Sequence, residues 1–227
     1  MIFDFYKLVE KHDLDIKGVV HVGAHECGEI LLYSTLGIKD AILIEANPDR
    51  FNNLTKTIKE GRYNTWCSPL TYSQLPEDLS SITSHYKVLN LAITDYNGEA
   101  DLNISTHDGG ADSLYKITKE GTDDSWCKYT HCGSVKVKCA TLDSLDIPKH
   151  FNFLNVDIEG AELECFRGAD KLLNQIDYIL CEVQEVKRFE NSCLESELIE
   201  FLGSRGFRKV DYIAGTSKWG DSLFSSK

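Results

Sequence analysis

VVHVGAHECGE, from Val19 to Glu29, is the stretch on which the reading of this chain turns. A short apolar run, long enough for a buried strand, leads into a turn holding Gly23 and Gly28 and then into a helical pattern. The following apolar run, AILIEANP, closes on Glu45. Strand, glycine turn, helix and a second strand ending in an acid make up the unit on which α/β sheets hold an adenosine-containing ligand. The turn lets backbone approach the ligand, and the acid meets the ribose hydroxyls.

Around this unit, strands and helices alternate. Residues 4–13 read as a short amphipathic helix, Val19–Val22 as a strand, Cys27–Leu36 as a helix stopped by Gly37, and Ala41–Ile44 as a strand. Asn47-Pro48 gives an N-cap with proline at the first helical position, and Phe51, Leu54 and Ile58 follow at helical spacing up to Gly61. Residues 62–86 read as a partly helical insertion before a third strand, Val88–Ile93. Ala100–Ser105 and Ser134–Cys139 alternate as strands do, and the polar, glycine-rich stretch between them, 106–133, reads as a mobile loop over a site. Phe151–Val156 is a strand ending at Asp157, with a helix from about Ala161 to Leu173 after it. Tyr178–Cys181 is a strand ending at Glu182. Ser192 and Glu195 fit a capping box for a helix that Gly206 stops, and strands near Phe207–Ile213 and Ser222–Ser225 complete the chain. The expected fold is a single α/β domain over 1–227: a doubly wound, mainly parallel Rossmann-like sheet with an antiparallel final strand.

Composition bounds the function. The 227 residues suffice for one well-cored domain and are few for two. No apolar run approaches a membrane span, and charge interrupts the opening MIFDFYKLVEKHD too often for a signal peptide. A formal net charge of −12 argues against an extended nucleic-acid surface, which needs clustered Lys and Arg. The eight cysteines include no C-x-x-C pair, and Cys127, Cys132 and Cys139 beside His131 match no common zinc spacing. Reduced thiols in an intracellular, cytoplasmic protein are the expectation.

Ligands in such sheets gather outside the carboxyl ends of the strands. Gly23-Ala24-His25, Glu45-Ala46-Asn47, Asn90-Leu91-Ala92 and Asp157-Ile158-Glu159 all fall there, and Glu182 joins them from the next strand. One such acid is explained as a helix cap; Glu45, Asp157 and Glu182 together are better explained by function. The turn Gly23–Gly28 lacks the second glycine of a dinucleotide site, and Glu26 and Glu29 stand where a pyrophosphate would sit. An acidic entry tolerates a cofactor without phosphates whose reactive centre is a cation, which points to S-adenosylmethionine and methyl transfer.

The successive blocks HVGAHECGE, IEANP, LAITDYNGEADL, ATLDSL, FNFLNVDIEGAELECFRGA and IDYILCEV resemble the FkbM-type S-adenosylmethionine-dependent methyltransferases. NVDIEGAEL is the most specific of them, and the likeness runs to WGDSLF at Trp219–Phe224. It implies a class I methyltransferase fold and O-methylation of a sugar, glycan or small molecule. By position, Gly23, Ala24 and His25 would line the methionine part, Glu45 and Asn47 the ribose, Asn90 and Ala92 the adenine, and Asp157 the sulfonium and acceptor. Many relatives carry Asn at the place of His25, and often Ser-Ser-Leu where this chain has Asp112-Ser113-Leu114. Ser113 and Trp219 are candidate acceptor contacts.

Methyl transfer to a hydroxyl is an in-line displacement that needs alignment and loss of a proton. Asp157 or Glu159 is the expected base, with Glu182 orienting the acceptor and His25 as the alternate base. A second reading has Asp157 and Glu182 hold Mg²⁺ or Mn²⁺, since carboxylates and water suit those ions. The competing functions are a nucleic-acid ribose 2′-O-methyltransferase, a non-catalytic cofactor-binding module and, last, a nicotinamide-linked oxidoreductase.

Overall fold

The computed structural model describes residues 4–61, 83, 85–124, 128–215 and 218–227. The chain opens with α1 (Phe5–His12), capped by the Asp4 side chain, then β1 (Val19–Val22), α2 (Ile30–Thr35), β2 (Ala41–Ile44) and α3 (Pro48–Glu60). Next come β3 (Lys87–Leu89), β4 (Ala92–Ile93), β5 (Gly98–Ser105), α4 (Lys119–Asp124) and β6 (His131–Ala140). The last third holds β7 (Phe153–Val156), α5 (Glu162–Arg167), β8 (Tyr178–Gln184), α6 (Glu195–Gly203), β9 (Arg208–Ala214) and β10 (Trp219–Ser225).

Seven strands form the main sheet in the order β3-β2-β1-β7-β8-β10-β9. The first five in that order are parallel, and β10 runs antiparallel to β8 and β9. This is the expected doubly wound sheet with its antiparallel end. Both faces are covered, which is why its central strands are apolar throughout rather than alternating. Val20, Val22, Leu154, Val156, Ile179 and Cys181 pack on one face; Val19, Leu43, Phe153, Leu180 and Leu223 pack on the other. The direction of winding reverses between β1 and β7, so the crevice of a doubly wound fold opens there. α3 follows its local signals: the Asn47 side chain accepts from the N–H of Asp49 and Arg50, and Gly61 ends the helix at φ +64°.

Several boundaries differ from the sequence reading, each for a physical reason. The third strand is two strands. The chain pairs with β2 as far as Leu89 and then leaves for a separate three-stranded sheet, β4-β6-β5. The break falls at Asn90, whose side chain donates to the carbonyls of Glu45 and Ala46. α2 starts at Ile30 rather than Cys27, because Gly23, His25 and Cys27 all have positive φ and the turn cannot propagate as a helix. The helix expected to reach Leu173 stops at Arg167. Gly168 packs so closely that a Cβ there would lie 2.2 Å from the Thr94 carbonyl oxygen. A fresh 3-10 turn, Leu172–Gln175, follows, and the Asp143 carboxylate caps the N–H groups of Lys171 and Leu172. Ser192 does not cap α6: its hydroxyl bonds the Phe189 carbonyl, and the Glu197 side chain accepts from the Leu194 N–H instead. β8 runs on past Cys181, so Glu182 lies inside the strand.

The insertion read at 62–86 falls almost wholly outside the described residues, as do Cys67 and Cys127. The described part of 106–133 is built into the fold. Asn103 and Ser113 exchange backbone hydrogen bonds, and Ile117 bridges to Phe189. Cys132 and Cys139 sit near opposite ends of β6, roughly 20 Å apart at strand rise. No helix among the described residues is long and apolar enough to cross a membrane.

The Gly168 contact sets a test. Gly168→Ala should lower the free energy of unfolding by roughly 1–3 kcal/mol, the usual cost of overpacking. Gly203→Ala, with nothing near its Cβ position, should raise it by about 0.4–1 kcal/mol. Equilibrium urea denaturation of the two variants measures both.

Candidate active site

Gly23 ends β1 at φ +82°, and a Cβ on it would fall 1.7 Å from the Asp157 carbonyl oxygen. Only glycine lets the two strand ends run this close. The N–H groups of Gly23 and Ala24 both bond the Ile44 carbonyl at 2.9 Å, which ties the turn to β2. His25 follows at φ +49°, and its N–H bonds Glu45 Oε2 at 2.7 Å. The other oxygen of that carboxylate, Oε1, accepts from the Asn47 N–H at 2.7 Å. Glu45 is 8% exposed, and burial pushes its carboxyl up while the two backbone bonds pull it back down. Each oxygen keeps a second lone pair.

Glu45, Gly23 and His25 form one side of an open cavity. Asp157, Ile158 and Glu159 form another side, and Leu91, Ala92, Ile93, Leu102 and Leu114 supply apolar walls. Gly109, Gly110, Asp112 and Ser113 cover it from the 106–133 stretch. A smaller cavity of about 370 Å³ continues beneath the turn, lined by His21, Ala24, Glu29, Asn155 and Asp157 among others.

The DIEG loop after β7 is held from several sides. Glu159 has φ +53° and Gly160 φ +109°. The Glu162 carboxylate accepts from the N–H groups of Ile158 and Gly160, and the Ser113 hydroxyl donates to the Glu159 carbonyl at 2.7 Å. Carboxylate oxygens of Asp157, Glu159 and Glu182 come within 4.8 Å of one another. Burial, then the negative charge of Asp157, pushes the Glu159 carboxyl well above the ordinary range. Burial, then the charge of Glu159, does the same to Glu182.

The structure brings Gly23, His25, Glu45, Ala92, Ser113, Asp157 and Glu159 onto the main cavity and Ala24 onto the smaller one. Asn47 and Asn90 stand behind the wall: Asn47 caps α3 and donates to Asp112 Oδ2, and Asn90 clamps the backbone of Glu45 and Ala46. Trp219 is in β10, paired with Gln184, and lies outside the cavity. The expected acidic helix entry is partly neutralised, because Arg50 pairs with both Glu26 and Asp108. Sequence reasoning missed Arg50 and Asp112; the glycine-rich stretch was expected over the site, and Gly109 and Gly110 line the cavity. The adjacent glycines were a usable signal; nothing local marks Arg50. The ring Nε2 of His25 lies 3.0 Å from the Asp108 carbonyl, which requires a proton on that nitrogen.

The sheet order, its antiparallel end and a cavity at the switch point are those of the Rossmann-like class I methyltransferase architecture. The model of the methyltransferase FkbM domain matches residues 21–209, and the chain belongs to that family. That membership supports the expected cofactor, S-adenosylmethionine. The N-terminal domain of human METTL16 matches with a TM-score of 0.50 at 15% identity, over 96% of this chain and 65% of that one. A protein in the NADB-Rossmann superfamily from Streptococcus agalactiae matches at 0.50 and 9% identity, over 99% and 68%. M. capricolum TrmK, solved with S-adenosyl-homocysteine, matches at 0.47 and 8% identity, over 100% and 70%. The likenesses at 0.50 show the fold. No curated protein matches in sequence.

Glu162 offers a check on this electrostatic layout. Burial raises its carboxyl from 4.5 to about 7, against the pull of the backbone N–H groups it accepts from. Between those two values the folded chain holds a proton that the unfolded chain has lost, so stability falls as pH rises through that window. Glu162→Gln keeps an acceptor oxygen and should flatten the slope. Urea titrations at pH 5 and pH 7.5 compare the two proteins.

Proposed function

We propose that the protein transfers the methyl group of S-adenosylmethionine to a hydroxyl of a sugar, glycan or other small molecule. The observation that carries the reading is the meeting of Asp157, Glu159 and Glu182 beside a cavity that has Glu45 on another side. The residues fit the cofactor. The spare lone pairs of Glu45 suit two ribose hydroxyls, and Leu91, Leu102 and Leu114 suit an adenine face. The smaller cavity with its acidic lining suits an amino-acid end. When bound, the cofactor supplies an electrophilic methyl group on a sulfonium cation.

The protein's own residues do the rest. Asp157 stabilises positive charge, and the DIEG loop, locked by Glu162 and Ser113, keeps it in one place. Glu159 or Asp157 would accept the proton that the acceptor hydroxyl loses when the bound cofactor gives up its methyl group, its S–CH₃ bond breaking to leave the neutral thioether. Burial has already raised the proton affinity of Glu159, which favours proton uptake from the acceptor. His25 remains the alternate base through Nδ1, its Nε2 proton being engaged by the Asp108 carbonyl.

The acceptor reading rests on polar groups lying beyond the carboxylates. Gln184 is 3% exposed, yet neither of its amide atoms has a hydrogen-bond partner. It lies two residues along β8 from Glu182, on the same face. Arg188 has an unpartnered Nε and lies over the rings of Tyr129 and Trp219 at 5.9 and 6.0 Å. Buried donors and acceptors beside aromatic faces suit a hydroxyl-rich acceptor. A nucleic-acid 2′-hydroxyl meets the same carboxylates, so salt dependence separates the two: phosphate-led binding weakens steeply with salt.

Calorimetry with S-adenosylmethionine, then a methyl-transfer screen over sugars and glycans, tests the proposal. Glu159→Gln should lower kcat by about 10²–10⁴ while keeping cofactor affinity. Gln184→Ala should raise KM for the acceptor. Absence of cofactor binding, or full activity in Asp157→Ala, overturns the assignment.

A further inference from the structure

The three carboxylates beside the cavity are an unusual group to leave side by side. Their oxygens lie within 4.8 Å of one another, and two of the three side chains carry an oxygen that is buried and unpaired. Glu182 is only 7% exposed, and its Oε2 has no hydrogen-bond partner. Glu159 Oε2 is in the same condition. A buried carboxylate oxygen without a donor costs free energy, and two facing each other cost more. The backbone holds them there all the same. Glu159 sits in the left-handed region, its carbonyl is bonded by Ser113, and Gly160 next to it packs against Ser192 and Phe189.

We propose that Asp157, Glu159 and Glu182 form a binding site for one hard divalent cation, Mg²⁺ or Mn²⁺. The donor set is all carboxylate oxygen, the chemistry those ions prefer over imidazole or thiolate. The spacing is near that of a closed site. Oxygens at about 2.1 Å from a common octahedral ion lie at most roughly 4.2 Å apart, so small side-chain shifts bring the three together. The charges also balance. Three carboxylates facing one divalent ion keep a single negative charge, which is what a neighbouring sulfonium requires. Waters or acceptor hydroxyls would complete the coordination, and a hydroxyl bound to the ion loses its proton more readily.

A second group of ionisable side chains, His21, Cys27 and Glu29, also brings its ligand atoms within 4.8 Å. Its donors are already engaged with one another: His21 Nδ1 faces the Tyr33 hydroxyl at 3.3 Å and the Cys27 sulfur at 3.7 Å. Its imidazole and thiol suit softer ions. It therefore serves as the internal control.

The assignment deepens the methyl-transfer reading, and its test is kept separate from that reading. Mn²⁺ alone is titrated into the full chain, with and without S-adenosyl-homocysteine, and followed by electron paramagnetic resonance and calorimetry. One saturable ion per chain, displaced by Mg²⁺, is the expected result. Glu182→Gln and Glu159→Gln should each weaken it by about tenfold or more, through loss of ligand charge, with circular dichroism unchanged. Glu29→Gln should leave it intact. No saturable Mn²⁺ binding, binding unaffected in both cluster variants, or binding lost only in Glu29→Gln overturns the proposal. S-adenosyl-homocysteine affinity, measured in metal-free buffer, reports on the cofactor reading alone.

Discussion

The contact between Gly23 and the Asp157 carbonyl is the constraint on which the site depends. Two parallel strands leave the sheet side by side there, and any side chain at position 23 would drive them apart. Because they stay together, the turn that carries His25 and the loop that carries Asp157 and Glu159 open into one cavity. The same closeness leaves His25 N–H free to reach Glu45 from the neighbouring strand. Loss of that approach would separate the Glu45 side of the cavity from the Asp157 side.

Much of this was legible in the sequence because the signals were local. β1, β2 and α3 have the bounds that apolar runs, Asn47-Pro48 and Gly61 prescribe, and Asp157 stands where the strand before it ends. The errors came where tertiary contact overrides local pattern. Periodicity carried one helix through Gly168, but a carbonyl from another segment occupies the space a side chain would need there. The run from Val88 to Ile93 is apolar except at Asn90, and that one polar residue marks the change of sheet: its side chain is taken up by the carbonyls of Glu45 and Ala46. Ser192 and Glu195 have the spacing of a cap, yet their partners are Phe189 and, for Glu195, Ser222 and Lys209. Gln184, Arg188 and Arg50 were invisible because only the fold gives them neighbours.

The electrostatics of the chain follow a single rule: acids are abundant, and the ones withdrawn from water are concentrated at one end of the sheet. Glu45, Glu159, Glu162 and Glu182 all have carboxyl groups pushed up by burial. Backbone N–H groups answer two of them, Glu45 and Glu162, which therefore act as struts. Glu159 and Glu182 keep an unanswered oxygen each. Among these four, the acids answered by backbone and the acids left with an unpaired oxygen are thus told apart by their hydrogen bonds rather than by their burial.

The departure of the chain from the main sheet at Asn90 has a further consequence. Ala92, Leu102, Val137 and Cys139 make their own small apolar cluster, with Leu114 packed against it, apart from the two clusters that flank the main sheet. Ile93, Ala140 and Leu91 nevertheless belong to or pack on the main core, so the wall of the cavity is tied to both clusters. Substitutions at Leu102 or Val137, inside the small cluster, are therefore felt in the main core only through those shared residues. A change in that cluster reshapes one wall of the cavity while leaving untouched the Gly23–Asp157 approach that forms the opposite side.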